Sequence, residues 1–125
     1  MELKTISFGD IHPLTFYSLD DKATYGKVLE ESAELYGACD IYRKSDWDSF
    51  GDEEDNHRKA TLLLIQDEAA DVIQTAVNIL YMSHAEFCRL EGVDVPKAMS
   101  ANALMEKLFA KNVERGRYGD ARFDD

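Results

Sequence analysis

The chain has 125 residues, 45% of them hydrophobic and 31% charged, which describes a single globular domain large enough to bury a core. Its 14 Lys and Arg stand against 25 Asp and Glu, a net charge of −11, and this argues against a general nucleic-acid binder, which needs a basic stripe along the phosphate backbone. Small phosphorylated ligands stay compatible with that charge, because a metal ion can bridge acid to phosphate.

Residues 1–20 read as a lead-in containing a short helix, with Phe8, Phe16 and Tyr17 packing on the body or on a partner subunit. Residues 21–44 predict the first main helix. Asp20 or Asp21 serves as its N-cap, and Arg43 and Lys44 suit its C-terminal end. Val28, Leu35, Cys39 and Tyr42 recur at helical steps and predict a core stripe, while Ala33 and Gly37 permit close approach of a neighbouring helix. Residues 45–57 break the pattern with six acids, Asp46, Asp48, Asp52, Glu53, Glu54 and Asp55. They predict a solvated loop or a loosely packed helical excursion. Trp47 and Phe50 either anchor that loop or stack on a ligand ring.

Residues 58–90 predict one long helix, apolar around almost its whole circumference and therefore central among other helices. Gly92 suits its stop, and Asp94 and Pro96 suit the start of a third helix over residues 95–115, with Ala98, Ala101, Leu104, Met105, Leu108 and Phe109 apolar. That helix turns basic at Lys107, Lys111 and Arg115, and Gly116 ends it. The last residues form a loosely attached tail. The expected fold is all-α, a bundle of three main helices plus a short N-terminal element. Its apolar surface exceeds what a monomer covers, so a homodimer or higher homo-oligomer with a four-helix core at the interface is expected.

The opening sequence MELKTISFGD lacks a basic stretch followed by an apolar core. The run Thr61 to Ile65 is too short to span a bilayer, and Asp67, Glu68 and Asp71 interrupt its continuation, so no membrane partner and a cytoplasmic location are expected. Cys39 and Cys88 have no metal or redox spacing and read as buried helix thiols in a reducing compartment. His12, His57 and His84 share no catalytic spacing.

Chemistry concentrates in two acidic patterns, Glu31-x-x-Glu34 and Glu68-x-x-Asp71. Residues three apart share a helix face, roughly 4.5 Å apart along the axis. From Ala60 to Met82 the only formal charges are Asp67, Glu68 and Asp71, so the second pattern lies in an apolar setting where unpaired carboxylates are costly. Four carboxylates facing one another between two helices call for a cation. With oxygen ligands alone, magnesium fits, with manganese as a substitute, and zinc, copper and a di-iron centre do not. Two readings are open for Asn78, two turns beyond Asp71: a hydrogen bond to a ligand or metal-bound water, or a satisfied interhelical amide.

Three elements in this order resemble the MazG-like superfamily of all-α nucleoside triphosphate pyrophosphohydrolases, over roughly residues 22–118. KVLEESAELYGA carries Glu30, Glu31 and Glu34 in the family's EExxE element, DEAADVIQTAVNIL carries Glu68 and Asp71 in its ExxD element, and ALMEKLFAKNVERGRYG is similar to its closing helix. The resemblance implies that Glu31, Glu34, Glu68 and Asp71 bind magnesium, that Lys111 and Arg115, with Asn112, contact phosphates, and that the assembly is dimeric or larger. It makes residues 21–118 the hydrolase-like domain, residues 1–20 its lead-in and 119–125 its tail. The gap between Glu34 and Glu68 is longer than in compact members, and the acidic stretch 45–57 within it leaves substrate identity open. The implied reaction cuts a nucleoside triphosphate to monophosphate and pyrophosphate. A metal-bound water, or one held by a carboxylate such as Glu31 or Glu34, would be the nucleophile, and Lys111 and Arg115 would offset charge on the leaving pyrophosphate. The rivals are a non-enzymatic acidic protein that mimics DNA, and an enzyme of the same fold acting on phosphoribosyl-ATP.

Overall fold

The computed structural model describes residues 3–15, 18–96 and 99–119, and all regular structure among them is helical, with no strand. Helix α1 spans Lys22–Lys44, a short 3₁₀ segment spans Trp47–Glu53, α2 spans Glu54–Glu91 and α3 spans Asn102–Glu114. The chain divides into two compact units, one being Ile11–Val95 and the other combining Met1–Asp10 with Pro96–Asp125. Among the described residues no helix is long and apolar enough to cross a membrane.

Helix α1 starts where its sequence predicts. The Asp21 carboxylate accepts a hydrogen bond from the Ala23 N–H at 2.9 Å and so caps the first turn. At the other end the Ser45 N–H and hydroxyl both donate to the Ile41 carbonyl, at 3.0 and 2.6 Å, closing the helix. Asp40 is held by Arg43 at 2.8 Å and Lys44 at 2.7 Å, ion pairs one turn apart on the same face.

The acidic stretch after α1 is organised by rings. Trp47 sits 5.2 Å from Tyr42 and 5.9 Å from Phe50, Phe50 stacks on His57 at 4.2 Å, and the Arg58 guanidinium lies 5.0 Å from the Trp47 ring centre. Gly51, with φ 58° and ψ −126°, supplies a turn that a side chain would resist. Asp46, Asp48, Asp52, Glu53 and Asp55 face solvent, while Glu54 pairs with Arg58 at 2.6 Å. Of the two readings for Trp47 and Phe50, anchoring is the one these contacts describe.

Within Ile11–Val95, α1 and α2 lie against each other. Their shared interior is thin and half polar. Ala38, Met82 and Cys88 are its buried apolar residues and Thr24, Thr75 and Asn78 its buried polar ones, and among the described residues no large side chain is fully enclosed. This corrects three expectations. Cys39 is exposed, one position round the helix from the buried Ala38, so it is not part of the core and only Cys88 is a buried thiol. Helix α2 presents one face to α1, but Leu63, Phe87 and Leu90 are 59%, 61% and 70% exposed, so it is not enclosed by the helices of its own unit. A methyl group at Gly37 would meet nothing within 4 Å, so no close helix approach uses that glycine.

Helix α2 ends at Gly92 in the left-handed conformation, φ 72°. The Gly92 N–H reaches the Arg89 carbonyl at 3.1 Å and the Val93 N–H reaches the Cys88 carbonyl at 3.0 Å. Helix α3 begins later than the Asp94–Pro96 signal predicts. Val95 and Pro96 are not helical; the helix starts at Asn102 with Ala101 as an N-cap that offers no side-chain bond, and the Ser100 hydroxyl accepts from the Asn102 N–H at 3.3 Å. Ala98 lies outside the described residues. Gly116, φ 68°, turns the chain after α3, and Tyr118 packs on Phe109 at 5.3 Å, while residues 120–125 of the expected tail lie outside the described residues. The lead-in contains no helix among its described residues. Phe8 is exposed, and Phe16 and Tyr17 lie outside the described residues.

Replacing Gly92 with alanine places a Cβ in the left-handed region, and the expected loss is about 1 kcal/mol of unfolding free energy. Urea denaturation of Gly92→Ala against wild type measures it.

Candidate metal centre

Helix periodicity brings α1 and α2 together along one seam of acids. Glu31 on α1 and Glu68 and Asp71 on α2 each place a carboxylate oxygen within 4.8 Å of the other two. Oε2 of Glu31 and Oε2 of Glu68 are both shut off from solvent and accept no hydrogen bond. Asp71 is the exposed member. Glu34, expected as the fourth ligand, is exposed and lies outside this trio, although its carboxylate is close enough to act on both Glu31 and Glu68.

The electrostatics follow from this crowding. Burial pushes the Glu31 carboxyl above its ordinary 4.5, helped by the Glu34 carboxyl beside it and the Asp71 charge, with Lys27 working in the opposite sense. Burial also raises Glu68, with further contributions from Glu34, Asp71 and Asp67. Lys27, one turn before Glu31, acts on that carboxylate and also pairs with Glu30 at 3.4 Å. Buried carboxylate oxygens without donors, in a set of oxygen ligands alone, are what a hard divalent cation would satisfy. The trio could hold one.

A cavity of about 180 Å³ opens beside the acids, lined by Leu14, Thr24, Lys27, Glu31, Asp71, Gln74, Thr75 and Asn78. Asn78 is buried at its wall, and its Oδ1 accepts from the Leu14 N–H at 2.7 Å and from Gln74 Nε2 at 2.9 Å. Gln74 Nε2 also donates to the His12 carbonyl at 2.9 Å. A backbone N–H can only donate, so the bond from Leu14 fixes which end of the Asn78 amide is oxygen. That oxygen is committed to the protein, and Nδ2 is the group Asn78 has left for a ligand. The satisfied-amide reading therefore holds for Oδ1, with the lead-in backbone as the partner in place of a neighbouring helix.

Lys111, Asn112 and Arg115 belong to α3, in the other compact unit. Asn112 braces the end of that helix. Its Oδ1 accepts from Arg117 Nη1 at 3.0 Å and its carbonyl from the Arg117 N–H at 3.0 Å. Lys111 and Arg115 are exposed. The histidines are dispersed, as expected. His57 stacks on Phe50, and His84 Nε2 lies 3.6 Å from Cys88 Sγ.

Several cavity residues escaped the sequence reading although spacing could have found them. Lys27 precedes Glu31 by one turn, and Gln74 and Thr75 follow Asp71 by one turn, so all three share the acidic face. Leu14 carried no local signal, because its partner Asn78 is 64 residues away.

In the metal-free protein the raised carboxyls of Glu31 and Glu68 favour their protonated forms in the folded state. Between 4.5 and the raised values the folded chain binds more protons than the unfolded chain, so this contribution to stability falls as pH rises through that window and stays lost above it. With a chelator present, Glu68→Gln is expected to raise the melting temperature at pH 7 and to change it little at pH 4, read by thermal unfolding at both values. Compared with protein-family models, with curated proteins and with solved structures, the chain gives no match, so a functional reading rests on the residues of the site.

Proposed function

We propose that the chain is a magnesium-dependent nucleoside triphosphate pyrophosphohydrolase, releasing a nucleoside monophosphate and pyrophosphate. One observation carries this reading: carboxylates from two helices converge within 4.8 Å, with two of their oxygens buried and without donors. Magnesium, or manganese in its place, would be held by Glu31, Glu68 and Asp71, with Glu34 at the edge of the set. When bound, the cation would supply positive charge to phosphate oxygens and withdraw electron density at phosphorus.

The chain's own groups have roles that follow from their positions. Glu34 is exposed next to Glu31 and Glu68, so it can hold an attacking water and take its proton, and Glu31 is the alternative base. Lys27 lines the cavity and offers an ammonium to phosphate oxygens. Lys111 and Arg115, with Asn112, keep the phosphate contacts that the resemblance assigns. The cavity wall of Thr24, Gln74, Thr75 and Asn78 offers hydrogen-bonding groups to the nucleoside part of a substrate. A cytoplasmic location, where nucleotide pools are found, belongs to the same reading.

A second reading has one observation in its favour. The exposed acids between Asp46 and Asp55 present the charge of a DNA mimic. Such a protein binds a basic partner without metal, whereas the hydrolase gains thermal stability from magnesium with a nucleotide.

Pyrophosphate release from a panel of nucleoside triphosphates and phosphoribosyl-ATP, with magnesium and with chelator, tests the proposal and separates the two substrate classes. Glu68→Ala and Asp71→Ala are each expected to lower turnover about 100-fold or more while circular dichroism shows an unchanged helix content. Hydrolysis at the wild-type rate by either variant rejects the site.

A further inference from the structure

Two amides stand at the cavity beside the acids, and the backbone of the lead-in decides which end of each is left over. Asn78 is 5% exposed, and its Oδ1 accepts from the Leu14 N–H at 2.7 Å and from Gln74 Nε2 at 2.9 Å. Gln74 Nε2 also donates to the His12 carbonyl at 2.9 Å. A backbone N–H only donates and a backbone carbonyl only accepts. Neither amide can therefore turn over without setting donor against donor or acceptor against acceptor. What remains is a donor at Asn78, its Nδ2, and an acceptor at Gln74, its Oε1. Among the described residues nothing accepts from that Nδ2 or donates to that Oε1, and neither atom is sealed from solvent. An almost fully buried amide with an unused donor at a cavity wall is a group waiting for a ligand atom.

Order along α2 gives the two groups a chemical meaning. Asp71, Gln74 and Asn78 all line the cavity at steps of three and four residues, so Asn78 lies about 10 Å beyond Asp71 along the helix axis. The cavity, about 180 Å³, is smaller than the ~300 Å³ at which pockets for whole small molecules begin. It houses a ring, with the rest of the ligand outside. A nucleotide held by its phosphates at the acids reaches Asn78 with the base substituent farthest from the sugar, and Gln74 with the ring nitrogen beside that substituent.

We propose that the cavity selects oxo bases over amino bases, and that the Leu14 N–H and the His12 carbonyl are the positioning groups that set this choice. In uracil or guanine the outermost group is a carbonyl oxygen, and the adjoining ring nitrogen carries a proton. The oxygen accepts from Asn78 Nδ2 and the N–H donates to Gln74 Oε1. In cytosine or adenine donor and acceptor exchange places. An amino group then meets the Asn78 NH₂, and a bare ring nitrogen meets the Gln74 oxygen. Turning such a base over about its long axis leaves the amino group outermost, so a donor still meets a donor. Buried polar groups left unmatched discriminate more strongly than the loss of a bond alone.

The inference rests on the hydrolase reading for the place of the phosphates, and not for the orientation of the amides. Equilibrium binding to the full chain in magnesium tests it. The probes are UTP, CTP, GTP and ATP analogues with an imido group in place of the α–β bridging oxygen, so that none is cut to monophosphate. The UTP analogue is expected to bind about 10-fold or more tighter than the CTP analogue, and the GTP analogue likewise over the ATP analogue. Asn78→Asp keeps an oxygen for the Leu14 N–H and replaces the NH₂ by an acceptor, so the UTP-to-CTP preference is expected to invert. Leu14→Pro removes the N–H and is expected to bring that preference about threefold or more closer to unity. General damage to the fold weakens both analogues alike and leaves their ratio in place. Magnesium-dependent binding of all four analogues alike overturns the inference and leaves the hydrolase reading standing. A preference that Asn78→Asp does not invert, or that Leu14→Pro does not move, also overturns it. Binding of none of the analogues overturns both.

Discussion

Like charges repel, and here the packing of two helices forces them together. Glu31, Glu68 and Asp71 meet because the face on which α1 and α2 touch is the face that carries the acids. A helix pair selected for stability alone would fill that position with leucine, since burying carboxylates without partners works against the fold. Burial and neighbouring acids raise the Glu31 and Glu68 carboxyls for the same reason. Everything nearby is consistent with a site whose groups are held in place before a ligand arrives. Polar threonines and amides line the contact, the cavity lies beside the acids, and the lead-in is fastened across its wall.

The interior of this unit is unusual for its polarity. Thr24, Thr75 and Asn78 are buried alongside Ala38, Met82 and Cys88, while Leu62, Leu63, Leu64, Phe87 and Leu90 of α2 are exposed. Directed bonds, from the Leu14 N–H to Asn78 and from Gln74 to the His12 carbonyl, fix the lead-in against α2. The aromatic group of Tyr42, Trp47, Phe50 and His57 adds a second anchor at the other end of α1. It holds the acidic stretch by ring contacts, so the acids themselves are free to face water.

Local signals were legible in the sequence. The Asp21 cap, the Gly92 stop and the extent of α1 and α2 follow from residue type and spacing, and the two acidic patterns pointed to the trio because three-residue spacing fixes a shared face. What failed was the inference from composition to neighbours. An all-round apolar helix reads as central, but periodicity does not say whether its partners belong to the same chain. The start of α3 was missed because Asp94 and Pro96 imitate a cap, whereas the helix begins after Ala101, a residue with no capping side chain. Glu34 shares a face with Glu31 and acts on both Glu31 and Glu68, but it stands outside the group of oxygens that lie within 4.8 Å of one another. Leu14 had no signal at all, because tertiary contacts over 64 residues leave no local trace.

That long reach has a kinetic side. The bond from the Leu14 amide to Asn78 closes a loop that encloses all of α1 and most of α2, so its entropy is recovered only after the two helices have already docked. The lead-in at Leu14, one side of a cavity otherwise lined by the two helices, is then expected to be fastened after them and to open locally at a free energy below that of global unfolding. A molecule filling the cavity would be gripped by the part of the protein that is easiest to release, so entry and escape need no rearrangement of the helices.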